Sequence, residues 1–166
     1  MTLKEKIQGD LIAAVKKREE FQPSVLRLLL AAILNKEKEK RYRLSQEKKE
    51  FKEEELEKES QLTDEEVIEV ISSEIKKKKE AIFFFEKGKR EDLVEKEKKA
   101  VEIFQTYLPE QLSEEEIKKL AEEVIGKLGA KEMKDMGKVM QELMLQLKGR
   151  AEGAAVSKIV KGLLGS

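Results

Sequence analysis

The chain has 166 residues, 42% of them charged, and its 35 basic and 35 acidic side chains cancel. A fold of this length removes roughly two-thirds of its unfolded surface from water, and zero net charge gives the whole molecule no preference for a polyanion, so any basic surface must be local. The chain lacks cysteine and histidine, which excludes disulfides and thiolate metal sites and removes the commonest zinc ligand and general base.

No apolar run approaches the ~20 residues that span a bilayer, and the N-terminal MTLKEKIQGD lacks the apolar centre of a signal peptide. A cytoplasmic protein without a membrane partner is expected. Lysine and glutamate dominate, proline occurs twice and period-two alternation is absent, so the fold class is all-α. No metal site, cofactor or catalytic residue is expected.

Thr2 and Glu5 form a capping box ahead of Leu3, Ile7, Leu11, Ala14 and Val15, one face of a first helix. Pro23 suits a first helical turn. Val25 to Leu34, VLRLLLAAIL, is apolar almost all round, which predicts the buried axis of an N-terminal bundle with Leu29 inside it. Arg27 within it reads either as an anion ligand or, more ordinarily, as a side chain paired at the rim of the core. From Lys36 to Gln61 charge alternates in sign and only Tyr42, Leu44, Phe51 and Leu56 are candidates for burial. This predicts a charged arm, a solvated helical extension or mobile arm held by i,i+4 ion pairs, with a partner-binding coiled arm as the lesser reading.

Thr63 with Glu66 opens a helix whose stripe is Val67, Ile71, Ile75, Ile82 and Phe85, ending at Gly88. Lys76 to Lys79 point in four directions around it and read as solvated. Ser72, Ser73 and Lys76 faintly suggest serine-lysine amidase chemistry, but a mid-helix site offers neither a strained nucleophile nor an oxyanion hole. The next helix carries Leu93, Val94, Ala100, Val101, Phe104 and Leu108 and stops before Pro109.

Composition shifts at Pro109. All eight aromatic residues precede it, whereas seven of the nine glycines and four of the five methionines follow it, the mark of a domain boundary. The expected organisation is an N-terminal helical domain over 1–108, a linker over 109–112 and a C-terminal three-helix domain over 113–166. In the latter, Ser113 and Glu116 cap a helix bearing Ile117, Leu120, Ala121, Val124, Ile125 and Leu128. Gly129 stops it. The same spacing recurs in Met136, Val139, Met140, Leu143, Met144 and Leu147, which predicts buried Met136 and Met140, and again in Val156, Ile159, Val160, Leu163 and Leu164.

The residues LRLLLAAILN (26–35), LTDEE (62–66), EDLVEK (91–96), YLPEQLSEEEI (107–117), MKDMGKVM (133–140) and KGRAEG (148–153) resemble the GatB/YqeY family over nearly the whole chain. The resemblance implies an N-terminal helical domain and a C-terminal domain like the tail of the B subunit of the tRNA-dependent amidotransferase, a module also appended to some glutaminyl-tRNA synthetases. It implies tRNA as a partner, and with it an aminoacyl-tRNA synthetase or an amidotransferase subunit. DNA is not expected. The chain departs from the family in carrying Gln141 and Leu145.

Three functions are weighed. The first is a tRNA-binding accessory module that uses Lys134, Lys138, Lys148, Arg150, Lys158 and Lys161, with close backbone approach at Gly137, Gly149 and Gly153 and a phosphate at the entry of the last helix. Read singly, these glycines are caps and these lysines solubilisers. The second is the carbon-nitrogen ligase activity, with glutamine as amido-N-donor, attached to the family label; the sequence shows neither an amidase nor an acyl-activating site. The third is a helical adaptor for a protein partner.

Overall fold

Each capping box read from the sequence opens a helix. The Thr2, Thr63 and Ser113 hydroxyls accept the N–H three residues on, and Glu5, Glu66 and Glu116 accept the cap's own N–H, which satisfies two otherwise orphaned donors at each start. In a computed structural model, which describes residues 1–165, the elements in order are α1 (Leu3–Lys16), α2 (Phe21–Glu47), α3 (Glu53–Glu59), α4 (Asp64–Lys87), α5 (Glu91–Gln105), α6 (Glu114–Leu128), a 3-10 turn (Met133–Asp135), α7 (Met136–Leu147) and α8 (Gly153–Leu164). There is no strand among the described residues, and the protein is all-α. Among them, too, no helix is long and apolar enough to cross a membrane.

Contacts divide the chain into a unit ending at Tyr107 and another beginning at Leu108. In the first, α1 packs on α2, and α4 packs on α5 and α2. Its core is Ile7, Ala14, Val25, Leu26, Leu29, Ile33, Val67, Val70, Ile71, Ile75, Val94, Ala100, Val101 and Phe104. Tyr107 closes it, and its hydroxyl donates to Asp10 at 2.7 Å. Burial, with this hydrogen bond to a carboxylate, pushes the Tyr107 phenol well above its ordinary range.

Two expectations for this unit are corrected. The segment Val25–Leu34 is not a buried axis. Only Val25, Leu26, Leu29 and Ile33 are buried, while Leu28 is 62% and Leu34 47% exposed and Arg27 also faces solvent. α2 meets α1, α4 and α5 yet leaves part of its circumference to solvent, so hydrophobicity all round does not become burial all round.

The stretch from Lys36 to Gln61 is not a wholly solvated arm either. The first part continues α2 to Glu47, and the second returns along it as α3. Glu37 is buried, taking both carboxylate oxygens to Lys4 Nζ at 2.8 and 2.7 Å and accepting the Leu62 N–H at 3.3 Å. Lys40 Nζ donates to Glu66 at 2.8 Å and to the Gln61 carbonyl at 3.2 Å, and Arg41 pairs with Glu53 at 3.1 Å. Cross-helix ion pairs fold this segment back, where the sequence suggests only local i,i+4 pairs. Of the four candidates for burial, Leu44, Phe51 and Leu56 are half-buried and Tyr42 is exposed.

In α4, Lys78 and Lys79 are half-buried where the sequence suggests solvated lysines, and the contacts of Lys78 cross to the next helix. The Lys78 ammonium bonds Glu97 at 2.8 Å and lies 5.6 Å from the Phe104 ring centroid, tying α4 to α5.

The second unit is a three-helix bundle in which α6, α7 and α8 all touch one another. Ile117, Ala121 and Val124 from α6, Val139, Leu143 and Leu147 from α7, and Val156, Val160 and Leu164 from α8 form its core. Met136 and Met140, expected to be buried, are half-buried at the margin of this core, as is Met144. Flexible thioethers fill its edge while branched side chains take the centre.

Candidate nucleic-acid interface

The six cations and three glycines singled out from the sequence all lie in the second unit, on the 3-10 turn, α7, the turn that follows it and α8. At the entry of α7 the chain passes through the 3-10 turn that carries Lys134, held by Asp135, whose carboxylate accepts the Lys131 and Glu132 N–H groups at 3.0 and 3.1 Å. Those two amides, with Lys134 and Lys138 nearby, hold the Asp135 carboxyl below the usual aspartate range. Met133 brings this turn to the end of α8: its sulfur stands 3.9 Å from where a Cβ on Gly165 would be. Lys134, Lys138 and Lys161 therefore share one end of the bundle, with Lys158 one turn further along α8.

Lys148 and Arg150 occupy the other end, about 16 Å away along the α7 axis at 1.5 Å per residue. Here the backbone and side chains are tied into the fold of the unit. The α7–α8 turn is bonded to the segment before α6: Leu112 N–H donates to the Arg150 carbonyl at 2.8 Å, Gln111 Nε2 to the Gly149 carbonyl at 2.6 Å, and Arg150 Nε to the Glu110 carbonyl at 3.3 Å. Arg150 also lies close enough to Glu116 to help lower that carboxyl, after the larger effect of its bonds to Ser113. The turn depends on Gly149 at φ +71°, a left-handed conformation that glycine adopts without a Cβ penalty. Arg150 and Gly149 thus have structural work within the unit, whatever else they contact.

The cations differ in their partners. Lys134 is bridged to Glu132 at 2.8 Å, and Lys148 also has an interaction within the chain. None of the ion pairs among the described residues involves Lys138, Lys158 or Lys161, all of which are exposed. Lys138 and Lys161 each adjoin a helical glycine, Gly137 and Gly162, where an added Cβ would meet nothing within 4 Å. Gly162 is not among the glycines singled out above, although the Lys161-Gly162 step carries the same signal on the last helix. A Cβ at either glycine meets no neighbour in the chain, and each leaves open space on its helix next in sequence to an exposed lysine.

Gly153 is the first residue of α8, also with open space around it. The preceding Glu152, the N-cap residue, makes no side-chain cap hydrogen bond, but it puts an acidic residue beside the helix start that a phosphate would approach. That lowers the value of this entry as an anion site relative to the exposed lysines.

The openness around Gly137 gives a direct expectation. Gly137→Ala should raise stability by about 0.5 kcal/mol, since alanine loses less backbone entropy on folding and meets no neighbour. A urea titration checks this, and a lowered midpoint would show that the position is more crowded than it stands.

Comparison with known proteins adds one match and one absence. The family described as Yqey-like protein matches residues 47–164. The match leaves α1 and nearly all of α2 outside it, so LRLLLAAILN (26–35) lies beyond the part of the chain that the family accounts for. No curated protein matches the chain.

Proposed function

The chain belongs to the Yqey-like protein family, and from that premise we propose that it is a tRNA-binding accessory module whose second unit contacts the RNA backbone. The observation that supports this reading is the exposed trio Lys138, Lys158 and Lys161, outside the ion pairs among the described residues and flanked by the open glycines Gly137 and Gly162. Exposed ammonium groups neutralise phosphates, and a helix surface without a side chain beside them lets the sugar-phosphate chain come close. Lys134 supplies a further charge at the same end, while Lys148 and Arg150 extend the basic track to the other. Its natural partner in this role is an aminoacyl-tRNA synthetase or an amidotransferase that handles the same tRNA.

Fluorescence anisotropy with labelled tRNA over a series of salt concentrations tests the proposal. Affinity should fall with salt, and the pair Lys138→Ala with Lys161→Ala should flatten the slope of log affinity against log salt by roughly 1.5 units, without changing preference among tRNAs. Both side chains are exposed, so the melting temperature should stay within a few degrees of the parent. Unchanged slope and affinity in the double variant would reject this surface, and absence of binding by the parent would reject the function.

A further inference from the structure

We propose that the exposed face of α4 pairs with the same face of a second copy of this chain, antiparallel, about a two-fold axis between Phe83 and Phe84. The two phenylalanines are 52% and 66% exposed, their ring centroids 5.6 Å apart edge to face. Glu80, Phe83, Phe84 and Lys87 follow at i, i+3, i+4 and i+7 and are all exposed, so they form one solvent-facing stripe.

The order of that stripe is acid, ring, ring, base. A two-fold axis between the rings carries position 80 of one copy onto position 87 of the other and position 83 onto position 84. Four rings then meet at the centre, and a Glu80–Lys87 pair closes each side. Self-complementarity of this kind is what an isologous interface requires. In the single chain the Lys87 ammonium folds back to 4.3 Å from the Phe83 ring centroid and covers part of it, a place that the partner's rings take in the pair. A polyanion is a poorer occupant, because the stripe around the rings holds one acid for each base.

The contact is small. Two part-exposed rings per copy fall short of the ~1,200 Å² at which specific interfaces become stable, so the pair is weak and concentration-dependent.

Sedimentation velocity of the full chain from about 10 µM to about 1 mM reads it directly. Dimer should grow with concentration. Glu80→Lys alone and Lys87→Glu alone each set like charges against one another and should weaken association at least tenfold, whereas an equimolar mixture of the two variants, or both changes in one chain, should restore it. Circular dichroism confirms that each variant is folded. A parent that stays monomeric, single variants that associate as the parent does, or a mixture that fails to recover would each overturn the proposal. If the parent is monomeric and Phe83→Ala with Phe84→Ala weakens tRNA binding, the face belongs to RNA. The measurement contains no RNA and touches no residue of the second unit, so its outcome is separate from that of the tRNA proposal.

Discussion

Leu143→Ala is expected to unfold the bundle of α6, α7 and α8 at room temperature while leaving the first unit folded. Leu143 is fully buried in the middle of α7, within a core of nine buried side chains drawn from all three helices. Truncating such a leucine costs about 2–5 kcal/mol, the transfer term plus that of the cavity left behind. A unit this small rarely holds more than about 3–5 kcal/mol in total. Hydrogen exchange should show rapid exchange throughout α6 to α8 and retained protection in α2 and α4. Leu145→Ala, at a position 58% exposed on the same helix, should change little. Protection retained in α7 would mean that the bundle has more stability in reserve than its size implies, and protection lost everywhere would mean that the two units unfold together.

The elements that the sequence conveyed best are those with one apolar stripe and a polar remainder. In α6, of the six positions read from spacing, 117, 121 and 124 are buried, 120 and 125 are half-buried and only Leu128 at the helix end is exposed, and the αL glycine expected to end that helix does so at φ +62°. Periodicity works there because the stripe is narrow and only one burial pattern satisfies it. It failed for α2. VLRLLLAAIL offers apolar residues in every direction, so the sequence shows that the helix is apolar but not which side faces the core. Its exposed Leu28 and Leu34 could be told from buried Leu29 and Ile33 only by knowing where α1 and α4 pack.

The candidate interface was partly legible for a similar reason. Residue type and proximity in sequence identify cations and glycines, and open space around Gly137 cannot be read from neighbours in the chain. Partner choice is even less visible. Lys134 and Lys138 are one turn apart and look equivalent in sequence, yet Lys134 is bridged to Glu132. Arg150 reads as a surface arginine beside a glycine, but the bonds it makes to Glu110 and Leu112 depend on a segment some forty residues away. Contacts at that separation leave no periodic trace.

Glu37 is where a long-range contact most changes the energetics, and Glu37→Ala is expected to destabilise the first unit by about 2–4 kcal/mol. The sequence around it, KEKEKRYR, presents it as one more solvated acid. In the structure it is 8% exposed and joins three elements: its carboxylate holds the Lys4 ammonium of α1 with both oxygens and caps the Leu62 N–H just before α4. Leu62 is itself buried. Alanine leaves that N–H without its acceptor, which costs about 1–3 kcal/mol for a buried donor, and adds the loss of a charge-assisted bidentate contact. Lys4 is about a quarter exposed, so its ammonium can turn to water, and the expected range lies about 1 kcal/mol lower than the 3–5 kcal/mol seen when a fully buried pair is broken. Glu37→Gln separates the two contributions. It keeps an oxygen for Leu62 and removes the charge that attracts Lys4, so it should cost less than half as much as alanine. Urea titrations of the parent and both variants measure the difference; equal losses would assign the effect to the ion pair, and a neutral alanine variant would show that water satisfies Leu62 as well as Glu37 does.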